Sequence, residues 1–173
     1  MAQIFNKQFK ANLPKAKADA EEFGKSKKGI VLCDQCRSVY YKKSWHQQLD
    51  GYKGSKQDRE VSIKFSLCPA CAMIKNRQYE GRLSISNVPA KQAGELEHLI
   101  KNFCERARRV DPLDRLIEIK KSGARWEVTT TENQLANKLA RKIKSVFNHV
   151  TTRARFAKEP SDVVEITINF EQV

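Results

Sequence analysis

The chain has 173 residues and a mass of 19.9 kDa, enough for one domain or two small ones that bury roughly 70% of their unfolded surface. Hydrophobic residues make up 40% and aromatic ones 8%, too apolar for a wholly disordered chain, and no apolar run approaches the roughly 18 residues of a membrane span. A soluble globular protein without a membrane partner is expected, and its 33 Lys and Arg against 20 Asp and Glu, a formal charge of +13, make nucleic acid the leading partner class.

Residues 1–29 hold seven lysines against Asp19, Glu21 and Glu22 and end in GKSKKG, a composition that reads as a basic flexible arm. Ile4, Phe5, Phe9 and Leu13 sit at near-helical spacing, so a short amphipathic helix that orders on a partner is one reading. A transit peptide is the weaker one, because Arg and Ser are nearly absent. Lys7, Lys10, Lys15 and Lys17 interrupt any signal-peptide core, which points to a cytoplasmic location and a reducing environment.

Residues 30–86 read as a zinc ribbon. Cys33-Asp-Gln-Cys36 and Cys68-Pro-Ala-Cys71 form two C-x-x-C knuckles 31 residues apart, and each supplies two sulfurs at the reach of a tetrahedral Zn²⁺, about 2.3 Å. Four thiolates close the shell, so one structural zinc is expected and no catalytic one. Such an ion is worth on the order of 10 kcal/mol to a module too small to be stable alone. A thioredoxin-like redox pair would need a βαβ setting, whereas a rubredoxin-like iron site shares the ligands and differs by colour. His46 is surplus to four sulfurs. Val39-Tyr40-Tyr41 after the first knuckle and the alternating Val61, Ile63, Phe65 and Leu67 before the second predict a hairpin. Its polar tip, from Gln47 to Glu60, carries Lys53, Lys56 and Arg59. The string Gly51-Tyr-Lys-Gly54 within it is a flexible turn of KH-like spelling.

Residues 87–173 predict a small α-β-β-α-β-β domain, two helices on a four-stranded antiparallel sheet, so the whole chain belongs to the α+β class. Leu96, Leu99, Ile100, Phe103, Ala107 and Val110 mark the first helix, and Cys104 falls on that stripe as a buried small hydrophobe. Strands follow at 115–120 and 125–130 around Ser122-Gly123. Thr131 with Gln134 reads as a capping box for a helix carrying Leu135, Leu139, Ile143, Val146 and Phe147. Strands at 152–157 and 163–170 close the domain, the last alternating Val164, Ile166, Ile168 and Phe170 with polar residues.

Several basic clusters suit an anionic polymer. Arg37, Lys42 and Lys43 accompany Tyr40, Tyr41 and Trp45, pairing cations with aromatic planes as single-stranded RNA requires, although the rings equally suit the ribbon's own small core. Lys138, Arg141, Lys142 and Lys144 form a cationic face on the second helix, suited to phosphates or simply solvated. Arg106, Arg108 and Arg109 end the first helix, where cations complement its dipole. Four thiolates and one divalent ion lower the net charge to about +11, so the excess survives metal binding. P-loop, nucleophile-elbow and H-E-x-x-H motifs are absent from the sequence, and no enzyme or small-molecule substrate is expected.

CDQCRSVYYKKSWH, LCPACAMIKNRQYEG, DPLDRLIEI and VTTTENQLANKLARKI, in that order, resemble an uncharacterised family of small bacterial zinc-ribbon proteins over about residues 30–170. More distantly, the paired C-x-x-C module and the strand-then-helix segment with Asn133, Ala136, Lys138 and Leu139 are similar to the nonsense-mediated-decay-type adaptor proteins that export the large ribosomal subunit. The resemblance implies association with a ribosomal subunit or ribosomal RNA, and carries Cys33, Cys36, Cys68 and Cys71 over as zinc ligands. Those adaptors are longer and hold more cysteine pairs, so export itself does not transfer. The expectation is a non-enzymatic RNA-binding adaptor or regulatory factor. A DNA-binding transcriptional regulator and a protein-interaction module are the alternatives.

Overall fold

A computed structural model describes residues 30–48, 63–156 and 163–171. The chain is a mixed α+β protein with two sheets and, among the described residues, three α-helices. None of these helices is long and apolar enough to cross a membrane. The expected arm, and the tip with Lys53, Lys56 and Arg59, lie outside the described residues.

The first sheet contains β1 (Ile30–Cys33), β2 (Val39–Tyr41), β3 (Ser44–His46) and β4 (Ile63–Ser66) in the order β3-β2-β1-β4. The predicted pairing of Val39–Tyr41 with the strand before the second knuckle is therefore corrected: β1 lies between them, antiparallel to β2 and parallel to β4. β2 instead makes a tight hairpin with β3 through Lys42 and Lys43, both at positive φ (49° and 67°). Primed two-residue turns require that backbone because its twist matches the strands. The second knuckle also runs straight into a helix that periodicity did not reveal, α1 (Pro69–Lys75), with Cys68 as its N-cap and Pro69 at the first helical position, where a missing N–H removes nothing.

The second sheet is five-stranded, in the order β6-β7-β5-β9-β8: β5 (Gly81–Ser86), β6 (Leu116–Ser122), β7 (Arg125–Thr130), β8 (Val150–Phe156) and β9 (Val164–Phe170). This corrects the expected four antiparallel strands. Residues 81–86, assigned from sequence to the end of the ribbon, form the central strand, antiparallel to β7 and parallel to β9. Leu83 and Ile85 point into the core while Arg82, Ser84 and Ser86 face away, the two-residue alternation of a sheet with one wet face.

Two helices cover the inner face, α2 (Ala93–Val110) and α3 (Asn133–Val146). Leu96, Ile100 and Cys104 of α2 and Leu135, Leu139 and Ile143 of α3 pack on Leu83, Val128, Ile166 and Ile168, the heptad-like stripes that the sequence displays. The capping box is corrected too. Glu132 is the N-cap and makes no side-chain cap bond. The Thr131 hydroxyl instead donates to the Leu113 carbonyl (2.5 Å) and accepts from the Arg115 amide (2.9 Å), fastening the α2–β6 loop to the start of α3.

Candidate metal centre

Local backbone geometry aims the four sulfurs at one point. β1 delivers Cys33, and the turn to Cys36 is closed by the Cys33 amide donating to the Ser38 carbonyl (2.8 Å) and the Arg37 amide donating to the Cys33 carbonyl (3.1 Å). Arg37 adopts φ 64° to bring the chain back into β2. From the other side, Cys68 caps α1 and Cys71 lies one turn in. The Cys71 amide donates to the Cys68 sulfur (3.4 Å), and the Cys68 amide donates to the Cys33 sulfur (3.3 Å).

The Sγ atoms of Cys33, Cys36, Cys68 and Cys71 all lie within 4.8 Å of one another, and those of Cys36 and Cys68 are 3.6 Å apart. Tetrahedral thiolate coordination at about 2.3 Å places sulfurs about 3.8 Å apart, so the donor set fits a metal ion of that geometry. None of the four is in a disulfide. Cys33, Cys68 and Cys71 are buried and Cys36 is half-buried. Leu67, Trp45 and Leu113, the last from the α2–β6 loop, pack around them.

Burial pushes every one of these thiols up. At Cys36, hydrogen bonds from the Ser38 hydroxyl and backbone outweigh burial and bring the thiol down to about 6. At Cys33, backbone hydrogen bonds at Cys36, Cys68 and Gln35 also win, and it falls. Burial prevails at Cys68 and Cys71, which rise, Cys71 further because the Cys68 and Cys36 sulfurs stand beside it. Four thiolates cannot share this space on their own charge. A divalent cation between them would let all four ionise.

The remaining candidates among the described residues fall around the first knuckle and the β2–β3 hairpin, on α3 and at the end of α2. Arg37, Lys42 and Lys43 are exposed around the first knuckle and the β2–β3 turn. The aromatic residues there serve the lobe's packing in part: Trp45 is half-buried against the cysteines and 5.4 Å from the Tyr40 ring, and Tyr41 lies 4.0 Å from the His46 ring. On α3, Lys138, Arg141, Lys142 and Lys144 are all exposed. Of the α2 cations, Arg108 and Arg109 turn to Glu105 at 3.9 and 3.6 Å.

Sequence reasoning missed a mixed-charge surface, the outer face of the five-stranded sheet. Register places Lys120, Glu127, Ser84, Thr167 and Arg153 in one row across it, and Glu118, Thr129, Arg82, Glu165 and Arg155 in the next. Arg82 is committed to Glu127 (2.5 Å) and Glu165 (3.6 Å), and Lys120 to Glu118 (3.3 Å). The Thr152-Arg153-Ala154-Arg155 alternation was the available signal, but without β5 the rows could not be assembled.

Against this basic background, carboxylates gather where β5, α2 and α3 meet. Burial, then the charges of Glu80, Asp114 and Asp111, raise Glu132 to about 6. A carboxyl whose folded pKa lies above its unfolded one loses stability as pH rises from the unfolded value through the folded one. Glu132→Gln should therefore melt higher than the native chain at pH 7–8, with the difference closing as pH falls from about 6 towards 4.5. Melting temperatures across that range check this; an unchanging gap would remove the charge explanation.

The sequence matches no protein-family model and no curated protein. What the fold and the site define is a mixed α+β chain whose four clustered cysteines could hold a metal ion.

Proposed function

We propose that the protein is a zinc-ribbon RNA-binding factor that associates with a ribosomal subunit or ribosomal RNA as a non-enzymatic adaptor. The observation that carries this reading is the four-sulfur cluster with Arg37, Lys42 and Lys43 exposed in the loop and turn beside it, in a chain of charge +13. A closed S₄ shell suits Zn²⁺, leaves no open coordination position, and so supplies structure and no chemistry. The ion fixes the knuckle and the β2–β3 turn, and with them the directions of their cations. The exposed cations of α3 add a second set of phosphate contacts. Positioning is the mechanism.

Binding through about five or six phosphates should give log K a slope of about −4 against log salt, because each contact releases condensed counterions. Filter binding to ribosomal RNA across a salt series measures it, and a nearly flat line would end the proposal. The same protein should leave the ribosomal fractions of a sucrose gradient when salt is raised. Competition by duplex DNA equal to that by ribosomal RNA would favour a transcriptional regulator instead.

A further inference from the structure

Between the C-terminal half of α2 and the first residues of β6 lies a cavity of about 370 Å³, within the range of roughly 300–1,000 Å³ in which small ligands are held. Cys104 and Leu116 form its apolar part, and Lys101, Asn102, Arg108 and Arg115 bring polar groups to it. Glu105 is the one carboxylate of the lining, and it already faces Arg108 and Arg109. Lys101 reaches Glu97 at 2.7 Å on the exposed side of the helix.

Arg115 differs from these. Its Nη1 is buried and, among the described residues, has no hydrogen-bond partner. A buried guanidinium N–H left unpaired loses its hydration without compensation, so native proteins leave few of them. The backbone holds the residue in place regardless, since the Arg115 amide donates to Thr131 and its carbonyl accepts from the Thr131 amide (3.0 Å). Arg115, which carries this orphaned nitrogen, thus lines a cavity with three cations and a single carboxylate.

We propose that this cavity binds a phosphate monoester, with Arg115 as the central donor, Lys101 and Arg108 as flanking cations and Asn102 as a neutral donor. With Glu105 facing Arg108 and Glu97 facing Lys101, Arg115 is the cation of the lining that has no facing carboxylate among the described residues. The positive balance of the cavity favours a group of nearly −2 charge at pH 7 over a carboxylate or a backbone phosphodiester, which brings only −1. A guanidinium fork with flanking donors suits a group that offers three oxygens. The ester is either free, as a mononucleotide, or the terminal phosphate of a nucleic-acid strand. The proposal does not depend on the ribosomal reading.

Calorimetric titration of the full, metal-loaded chain with adenosine 5′-monophosphate at fixed ionic strength tests it. One saturable site is expected, with adenosine giving none. Arg115→Met should weaken binding by roughly ten- to a hundredfold, and Lys101→Met, on the exposed rim, should weaken it less. Lys91→Met, an exposed cation outside the cavity, should leave it unchanged. Absence of a saturable site, or equal weakening by Lys91→Met, would overturn the proposal. Should Arg115→Met fail to fold, Lys101→Met decides by the same comparison. A short RNA strand with and without a 5′-phosphate separates the sources. An Arg115-dependent preference for the phosphorylated strand identifies a strand end, and dependence confined to the mononucleotide identifies a free ester.

Discussion

Replacing Cys71 with serine, or stripping the metal with a chelator, is expected to unfold the four-stranded sheet while the five-stranded one stays folded. The smaller sheet has little core beyond its cysteines: its buried cluster is Cys33, Cys68, Ala70 and Cys71, with Cys36, Trp45, Leu67 and Leu113 partly buried around it, and its strands add only Ile30, Val31 and Val39 as further buried aliphatic residues. Its strands are three or four residues long, and every residue of β4 is exposed, Ile63 at 56% and Phe65 at 63%. Apolar burial on that scale does not offset the ordering entropy of so many residues. A structural zinc contributes on the order of 10 kcal/mol, and losing one ligand forfeits most of it. Hydrogen exchange should show amides of β1 and β2 losing protection while those of β5, β7 and β9 keep theirs. Elemental analysis of the native chain should return one zinc per molecule. Protection in β1 and β2 that survives metal removal would show that the strands hold themselves.

The second large effect concerns Gly81, the first residue of β5. A Cβ there would sit 2.2 Å from the Thr130 hydroxyl oxygen, 2.5 Å from the Ala136 Cβ and 3.1 Å from the Glu132 carbonyl oxygen. Two of these neighbours belong to the start of α3 and the third to β7, and none is the end of a flexible side chain. Gly81→Ala must therefore push the helix off the sheet at its N-terminal end, at a cost of about 3 kcal/mol and a fall in melting temperature of about 10 °C. Gly94→Ala is the control, because a Cβ there meets nothing within 4 Å and the exchange favours a helix by about 0.5 kcal/mol. Calorimetry of the pair should shift in opposite directions. Equal shifts would mean that close approach at Gly81 is not what that position requires.

The four-cysteine cluster could be read from the sequence, because C-x-x-C spacing is local chemistry and the four sulfurs lie close together. Most of the stripes of α2 and α3 and the alternation of β9 were equally plain, since periodicity reports which face a residue takes, although Val110 and Val146 at the helix ends are exposed. Partnership is a different matter. Nothing in Gly81–Ser86 says that it lies between β7 and β9, or in Ile30–Cys33 that it separates β2 from β4, because these pairings join segments far apart in the chain. α1 escaped notice because seven residues are too few to show a period. Thr131 shows the same limit at one side chain: its spacing to Gln134 spelled a cap, but the Leu113 carbonyl and Arg115 amide from another element took the hydroxyl. Arg115 stood in the sequence as one cation among 33 basic residues, and only packing shows that its guanidinium has a buried nitrogen without a partner among the described residues.

The position of β5 also has a kinetic meaning. Its parallel neighbour arrives late: Ser86 and Asn169, hydrogen-bonded at 2.9 Å, are 83 residues apart in the chain. Closing a loop of that length carries an entropic barrier of about 4 kcal/mol by chain statistics, and contacts of such high order slow folding. While the polypeptide is being synthesised, β5 can pair with β7 yet must hold its other edge open until β9 emerges. That nascent edge is where a stalled or truncated product would aggregate.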